Sequence, residues 1–172
     1  MREVEFATSS AEATRLLGER LARAIAANGL EQPLVVTLSG ELGAGKTTFV
    51  SGFLRAMGVT GPVRSPTYTL IEPYEFAERC VYHLDLYRLV DARDLEMLAL
   101  RDLLQPSAVL LVEWAERGAG ALPVPDLALT LHYESDVKSD AGSPPTDARR
   151  IVIRCTTLSG ETLLNKLVAS AS

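Results

Sequence analysis

Apolar and polar positions along the chain switch repeatedly between two periods. Residues 3–7 alternate and read as a first strand. Ser9-Ser10-Ala11-Glu12 then has capping-box spacing, and Leu17, Leu21, Ala24 and Ile25 make one helical face opposite Arg15, Glu19 and Arg23, up to Asn28-Gly29. Leu34-Val35-Val36-Thr37-Leu38 is short, apolar but for Thr37, and rich in β-branched residues, the mark of a buried strand. Phe49, Val50, Phe53, Leu54 and Met57 return to helical spacing, and Gly58 stands at the position of a C-terminal cap. The same reading predicts strands over residues 67–74 and 80–86, joined by a polar hairpin tip at 75–79. It predicts a helix over 91–104, continuous or broken near Arg101, and a fully apolar strand over 108–113. Strands follow over 126–133, with Leu127, Leu129, Leu131 and Tyr133 on one face, and over 150–155, paired as a hairpin. Leu163, Leu164, Leu167 and Val168 mark a last helix over 158–169. Glycine and proline place loops at 58–66 and 118–125, and the polar stretch 134–149 reads as a mobile loop.

Between the second strand and the second helix lies Gly40-Glu41-Leu42-Gly43-Ala44-Gly45-Lys46-Thr47, which fits G-x-x-x-x-G-K-[ST] in the strand–loop–helix context that this phosphate-binding motif needs. Gly40, Gly43 and Gly45 let backbone N–H groups approach an anion that Cβ atoms would keep away. The phosphates would rest on the head of the helix starting near Lys46, with Lys46 reaching the β- and γ-phosphates and the Thr47 hydroxyl ligating Mg²⁺. The predicted fold is therefore α/β: a P-loop NTPase-like three-layer sandwich with a mainly parallel central sheet and an antiparallel hairpin at its edge. Residues 1–172 are expected to form a single domain.

Composition narrows the function. Apolar residues are 47% and charged residues 23%, as in ordinary globular proteins, and no apolar run is long enough to cross a bilayer. With an N-terminus unlike a signal peptide, a cytoplasmic location is expected. Cys80 and Cys155 are far apart and read as buried reduced thiols. The net charge of −5 argues against stand-alone nucleic-acid binding, because phosphate neutralisation supplies most of that affinity.

Further candidates lie at strand ends. Glu113 closes the apolar run 108–113, where ligands gather in open α/β sheets, and is placed to hold Mg²⁺ directly or through water. Asp85 is a carboxylate inside an apolar strand; it is solvated by a Mg²⁺–phosphate site or paired with Arg88, and spacing alone does not choose. Thr67 stands either as a switch hydroxyl or as a turn residue before a strand. His83 reads as a hydrogen-bonded structural residue, and Trp114 as a rim-packing aromatic before a stacking one. Ser10 is foremost a helix cap and secondarily, with its neighbours from Thr8, a contact to the nucleotide base.

The missing motifs are informative. Asn165-Lys166-Leu167-Val168 lacks the Asp of the guanine-specific N-K-x-D, no L-S-G-G-Q signature is present, and no Arg-rich lid is evident. Adenine nucleotide is preferred on that ground. Residues 40–48 (GELGAGKTT), 65–68 (SPTY), 82–89 (YHLDLYRL) and 111–114 (LVEW), in this order and at these spacings, closely resemble the marks of the TsaE family, also called YjeE. The resemblance spans residues 6–125 and continues weakly beyond; Glu41 stands where Asp is common. It implies a bacterial P-loop ATPase that works with TsaB and TsaD in threonylcarbamoyladenosine modification of tRNA. It also implies a phosphate loop of Gly43, Ala44, Gly45, Lys46, Thr47 and Thr48, magnesium positions at Thr47 and Glu113, an acid needed for activity at Asp85, and functional roles for Thr67 and Trp114. The expected chemistry is hydrolysis of ATP, slow in the isolated chain, with Asp85 or Glu113 positioning the water, Asp85 being preferred for that and Glu113 for the metal. Arg64 and Arg88 are the available arginine-finger candidates. A small-molecule kinase and a nucleotide-gated scaffold are the rival readings.

Overall fold

The fold is a seven-stranded sheet in the order β1-β7-β6-β2-β5-β4-β3. It is seen in a computed structural model that describes residues 2–91, 95, 99–133 and 147–170. In chain order the elements are β1 (Glu3–Thr8), α1 (Ala11–Ala26), β2 (Leu34–Ser39), α2 (Lys46–Ala56), β3 (Ile71–Phe76) and β4 (Arg79–Asp85). Then come α3 (Leu100–Leu103), β5 (Val109–Glu113), a 3₁₀ turn (Ala115–Gly118), β6 (Leu127–Tyr133), β7 (Arg149–Cys155) and α4 (Leu158–Ala169). β6, β2, β5 and β4 run parallel, which requires crossover connections; the central β2 and β5 are covered on both faces, whereas β6 is buried on one. Antiparallel pairing occurs at both edges, not one: β3 pairs with β4 on one side, and β1 and β6 flank β7 on the other.

The period-two rule sorts the sheet into two cores. Val36, Leu38, Val109, Leu111 and Val81 point to one face, where they meet Leu21, Ile25, Phe49, Phe53 and Leu164 from α1, α2 and α4. Val35, Leu110, Val112 and Leu84 point to the other, packed by Leu86, Leu95, Leu100 and Trp114. Helices α1 and α2 cross closely enough that their glycines are obligatory. A Cβ on Gly52 would lie 2.0 Å from the Arg15 carbonyl oxygen, and one on Gly18 would lie 2.1 Å from that of Phe49.

Several boundaries differ from expectation. Residues 67–70 are a turn, not the start of a strand; Leu70 has φ 64° and its N–H bonds the Pro66 carbonyl at 2.7 Å, so the strand begins at Ile71. The hairpin tip is Ala77-Glu78 alone, and β4 runs Arg79–Asp85. Much of the predicted 91–104 helix lies outside the described residues; what is described is helical at Leu95 and over Leu100–Leu103, and the break falls at Ala99 (φ 46°), ahead of Arg101. Arg149 is already in β7, so the 134–149 loop ends earlier, and residues 134–146 lie outside the described residues. Cys155 is buried, whereas Cys80 is only half-buried on the β3–β4 edge. Among the described residues no helix is long and apolar enough to cross a membrane.

Replacing Gly52 with Ala is expected to destabilise the fold by about 1–3 kcal/mol, the usual cost of overpacking a close helix crossing. Urea denaturation would show this as a lowered midpoint with an unchanged slope.

Candidate nucleotide site at the head of the second helix

Parallel register creates the site. Leu38 on β2 is level with Glu113 on β5, which is level with Asp85 on β4, so three neighbouring strands end together. His83 and Asp85 share a face two residues apart, and that face is continuous with the α1/α2 core through Val81 and Leu111. The core is therefore apolar at its base and polar where the strands stop.

Out of β2 the chain turns through Gly40 (φ 138°), Gly43 (φ 79°) and Gly45 (φ 103°). The requirement is steric as well as torsional: a Cβ on Gly40 would lie 2.3 Å from the Leu131 carbonyl oxygen. Gly45 caps α2 without a side-chain acceptor, so the first N–H groups of the helix remain directed at the cleft. Above them opens a cleft of about 290 Å³ lined by the loop, by Ser65 and Thr67, and by Asp85, Tyr87, Glu113 and Trp114.

Lys46 is 4% exposed. Its ammonium donates to the carbonyls of Gly40 at 2.7 Å and Glu41 at 2.9 Å and sits 3.7 Å from the centroid of the Trp114 ring. Burial holds Lys46 below its ordinary value of 10.5, while the carboxylates of Glu113, Glu116 and Asp85 push it back up. Trp114 takes a left-handed conformation (φ 57°) as β5 passes into the 3₁₀ turn, and its ring meets that of Tyr87 at 4.9 Å, with the Arg117 guanidinium over both. It faces the site and Lys46, contrary to the rim-packing reading.

The two strand-end carboxylates are 2% (Glu113) and 3% (Asp85) exposed. Thr47 donates to both oxygens of Glu113 at 2.9 Å, and His83 Nε2 meets Glu113 Oε1 at 2.8 Å. Asp85 Oδ2 accepts from Thr67 at 3.1 Å and from the Ser65 hydroxyl, and Oδ1 accepts from the Tyr87 N–H at 2.8 Å. Asp85 thus faces the cleft; Arg88 does not pair with it and lies over the Tyr68 ring at 4.2 Å. Thr67 touches Asp85, although from a turn, not a strand.

Gly43, Gly45, Thr47, Thr48 and Leu42 line the cleft, with Ala44 buried beneath them. Gly40 and Glu41 line the neighbouring cavity of about 620 Å³ along with Trp114 and the end of β6. Ser10 accepts the Ala13 N–H at 3.1 Å, the capping role, and lines neither space. Arg64, one arginine-finger candidate, is exposed and lines neither. His83 is the hydrogen-bonded, buried residue expected, but its partner, which the sequence did not name, is the site acid Glu113. The sequence reading left out Ser65 and Tyr87, for which only a folded switch loop could give the position.

The arrangement suits a magnesium-bound polyphosphate. A hydroxyl and a carboxylate already touch, and a second hydroxyl–carboxylate pair, Thr67 with Asp85, lies across the same cleft, an all-oxygen donor set of the kind that hard cations take. Among the described residues there is no group of three or more His, Cys, Asp or Glu side chains that could hold a metal by itself. A cation here would share its coordination with phosphate oxygens, which is how Mg²⁺ is commonly bound.

Comparison with known proteins identifies the family. The family model described as "Threonylcarbamoyl adenosine biosynthesis protein TsaE" matches residues 8–141. A Haemophilus influenzae protein named tRNA threonylcarbamoyladenosine biosynthesis protein TsaE is 41% identical over 122 residues, 71% of this chain and 77% of that protein. A Bacillus subtilis protein of the same name is 37% identical over 136 residues, 79% of this chain and 82% of its own length. The crystal structure of Bacillus subtilis YdiB superposes with a TM-score of 0.73 at 27% identity, covering 99% of this chain and 97% of that one. The chain belongs to the TsaE family, whose members are named for the biosynthesis of threonylcarbamoyladenosine in tRNA.

Proposed function

We propose that this chain binds ATP with Mg²⁺ and hydrolyses it, and that this activity serves threonylcarbamoyladenosine modification of tRNA in a complex with TsaB and TsaD. The observation that carries the proposal is the meeting of Thr47 and Glu113 beside Lys46 at the head of α2, with Asp85 across the cleft. The biosynthetic role extends the printed names of the relatives to this chain. The partners and the adenine preference rest on the family resemblance of the motifs.

In this reading the amides at the start of α2 and the Lys46 ammonium bind the phosphate tail and offset the charge that develops on it. Thr47 and Glu113 would hold Mg²⁺, which neutralises charge on the β- and γ-phosphate oxygens when bound. Asp85 orients the attacking water and accepts its proton, while Thr67 and Ser65 hold that carboxylate in place. Since Ser65 and Thr67 lie on the loop after α2, any partner that orders this loop also sets the position of Asp85. That gives a physical route for partner-stimulated hydrolysis.

Lys46→Ala is expected to weaken ATP binding about tenfold or more by calorimetry, the worth of one charge-assisted hydrogen bond or two. Asp85→Asn is expected to bind ATP nearly as well as the parent while releasing free phosphate about 10²–10⁴ times more slowly, the usual share of a general base. Normal turnover in Asp85→Asn would remove that residue from the mechanism, and a phosphorylated small molecule in place of free phosphate would turn the assignment to a kinase. Adding TsaB and TsaD is expected to raise phosphate release by the parent protein. Modified tRNA formed at full yield with Asp85→Asn would show that nucleotide binding suffices and cleavage does not matter.

A further inference from the structure

The tip of the phosphate loop is held from outside by a cross-strand pair that belongs to none of the four motif segments. Tyr133 ends β6, Arg149 begins β7, and the two are direct register partners. The Tyr133 hydroxyl donates to the Leu42 carbonyl at 2.8 Å. Arg149 lays its guanidinium over the Tyr133 ring, 4.4 Å from the centroid, and its Nη2 reaches the Gly43 carbonyl at 3.5 Å. The Arg149 side chain is 12% exposed, and Asp147 lies 3.9 Å from the same nitrogen. Contact with the loop is tight: a Cβ on Gly43 would stand 2.4 Å from the Tyr133 oxygen. Gly43 is therefore a glycine for two reasons, its φ of 79° and the hydroxyl packed against it.

Peptide planarity turns this contact into a functional one. In a trans peptide the C=O of residue i and the N–H of residue i+1 point in opposite directions. Fixing the Leu42 carbonyl outward onto Tyr133 directs the Gly43 N–H to the opposite side, inward to the phosphate cradle. We infer that Tyr133 and Arg149 are positioning residues for anion binding: the hydroxyl sets the Leu42–Gly43 peptide plane, and the arginine fixes the ring that carries the hydroxyl. The pair touches no metal ligand and lies on the opposite side of the loop from Asp85 and Glu113. Its contribution is to binding of the polyphosphate, not to the hydrolytic step. The inference rests on the nucleotide-binding part of the proposed function and adds to it two residues from the far hairpin.

The test is calorimetry of ADP binding to the full chain and to Tyr133→Phe, which removes one oxygen and keeps the ring, with melting temperatures measured alongside. The Gly43 amide resonance of ¹⁵N-labelled protein is followed during titration with pyrophosphate. Tyr133→Phe is expected to bind ADP about fivefold more weakly, as for loss of one hydrogen bond, with an unchanged melting temperature and a smaller pyrophosphate-induced shift at Gly43. Arg149→Lys, which keeps the charge but loses the planar stack, is expected to weaken ADP binding in the same direction. Unchanged ADP affinity in Tyr133→Phe overturns the inference, and so does weakened affinity with the Gly43 shift intact or with a matching fall in melting temperature. A parent chain that binds neither ADP nor pyrophosphate would overturn the nucleotide-site reading itself, a different result from either of these.

Discussion

Two buried carboxylates side by side are the constraint around which this molecule is arranged. The β4–β5 register sets Asp85 level with Glu113, and both are almost wholly removed from water. Isolated charges in that position are costly unless they are paired and hydrogen-bonded. Each acid has its own set of partners. Glu113 has the Thr47 hydroxyl and His83; Asp85 has Ser65, Thr67 and the Tyr87 amide. Lys46 supplies the nearby positive charge, and its lowered pKa reflects a burial that the acids only partly offset. A divalent cation between the hydroxyls and the acids would compensate these two charges further.

That constraint explains why so much of the site could be read before the fold was known. A buried strand cannot end in Glu113 or contain Asp85 without a charge partner, and a glycine-rich loop ending in Lys46-Thr47 names one. The parallel centre of the sheet was likewise visible, because strands covered on both faces are nearly continuously apolar, as 109–112 and, but for Thr37, 34–38 are. What was hidden depended on contacts between distant segments. Residues 67–70 have strand-like composition, but they turn so that Thr67 reaches Asp85; the tertiary bond overrides local β-propensity. His83 looked like a structural histidine, and it is fully buried, but only the pairing of β4 with β5 shows that its bond goes to a site acid. Tyr133 and Arg149 stand apart in sequence and meet only through the β6–β7 ladder. The edge pairing also exceeded expectation, because a sequence does not state which hairpin lies at which side of a sheet.

The Lys46 ammonium joins the loop to the end of β5: it is bonded to two carbonyls of its own loop and lies over an indole ring. The first N–H groups of α2 stand beside this ammonium, and a helix N-terminus of that kind favours negative charge. The same indole is wedged between Lys46, Tyr87 and Arg117, and the Tyr87 N–H is bonded to Asp85, so this aromatic pair ties the lysine at the head of α2 to the segment that follows Asp85.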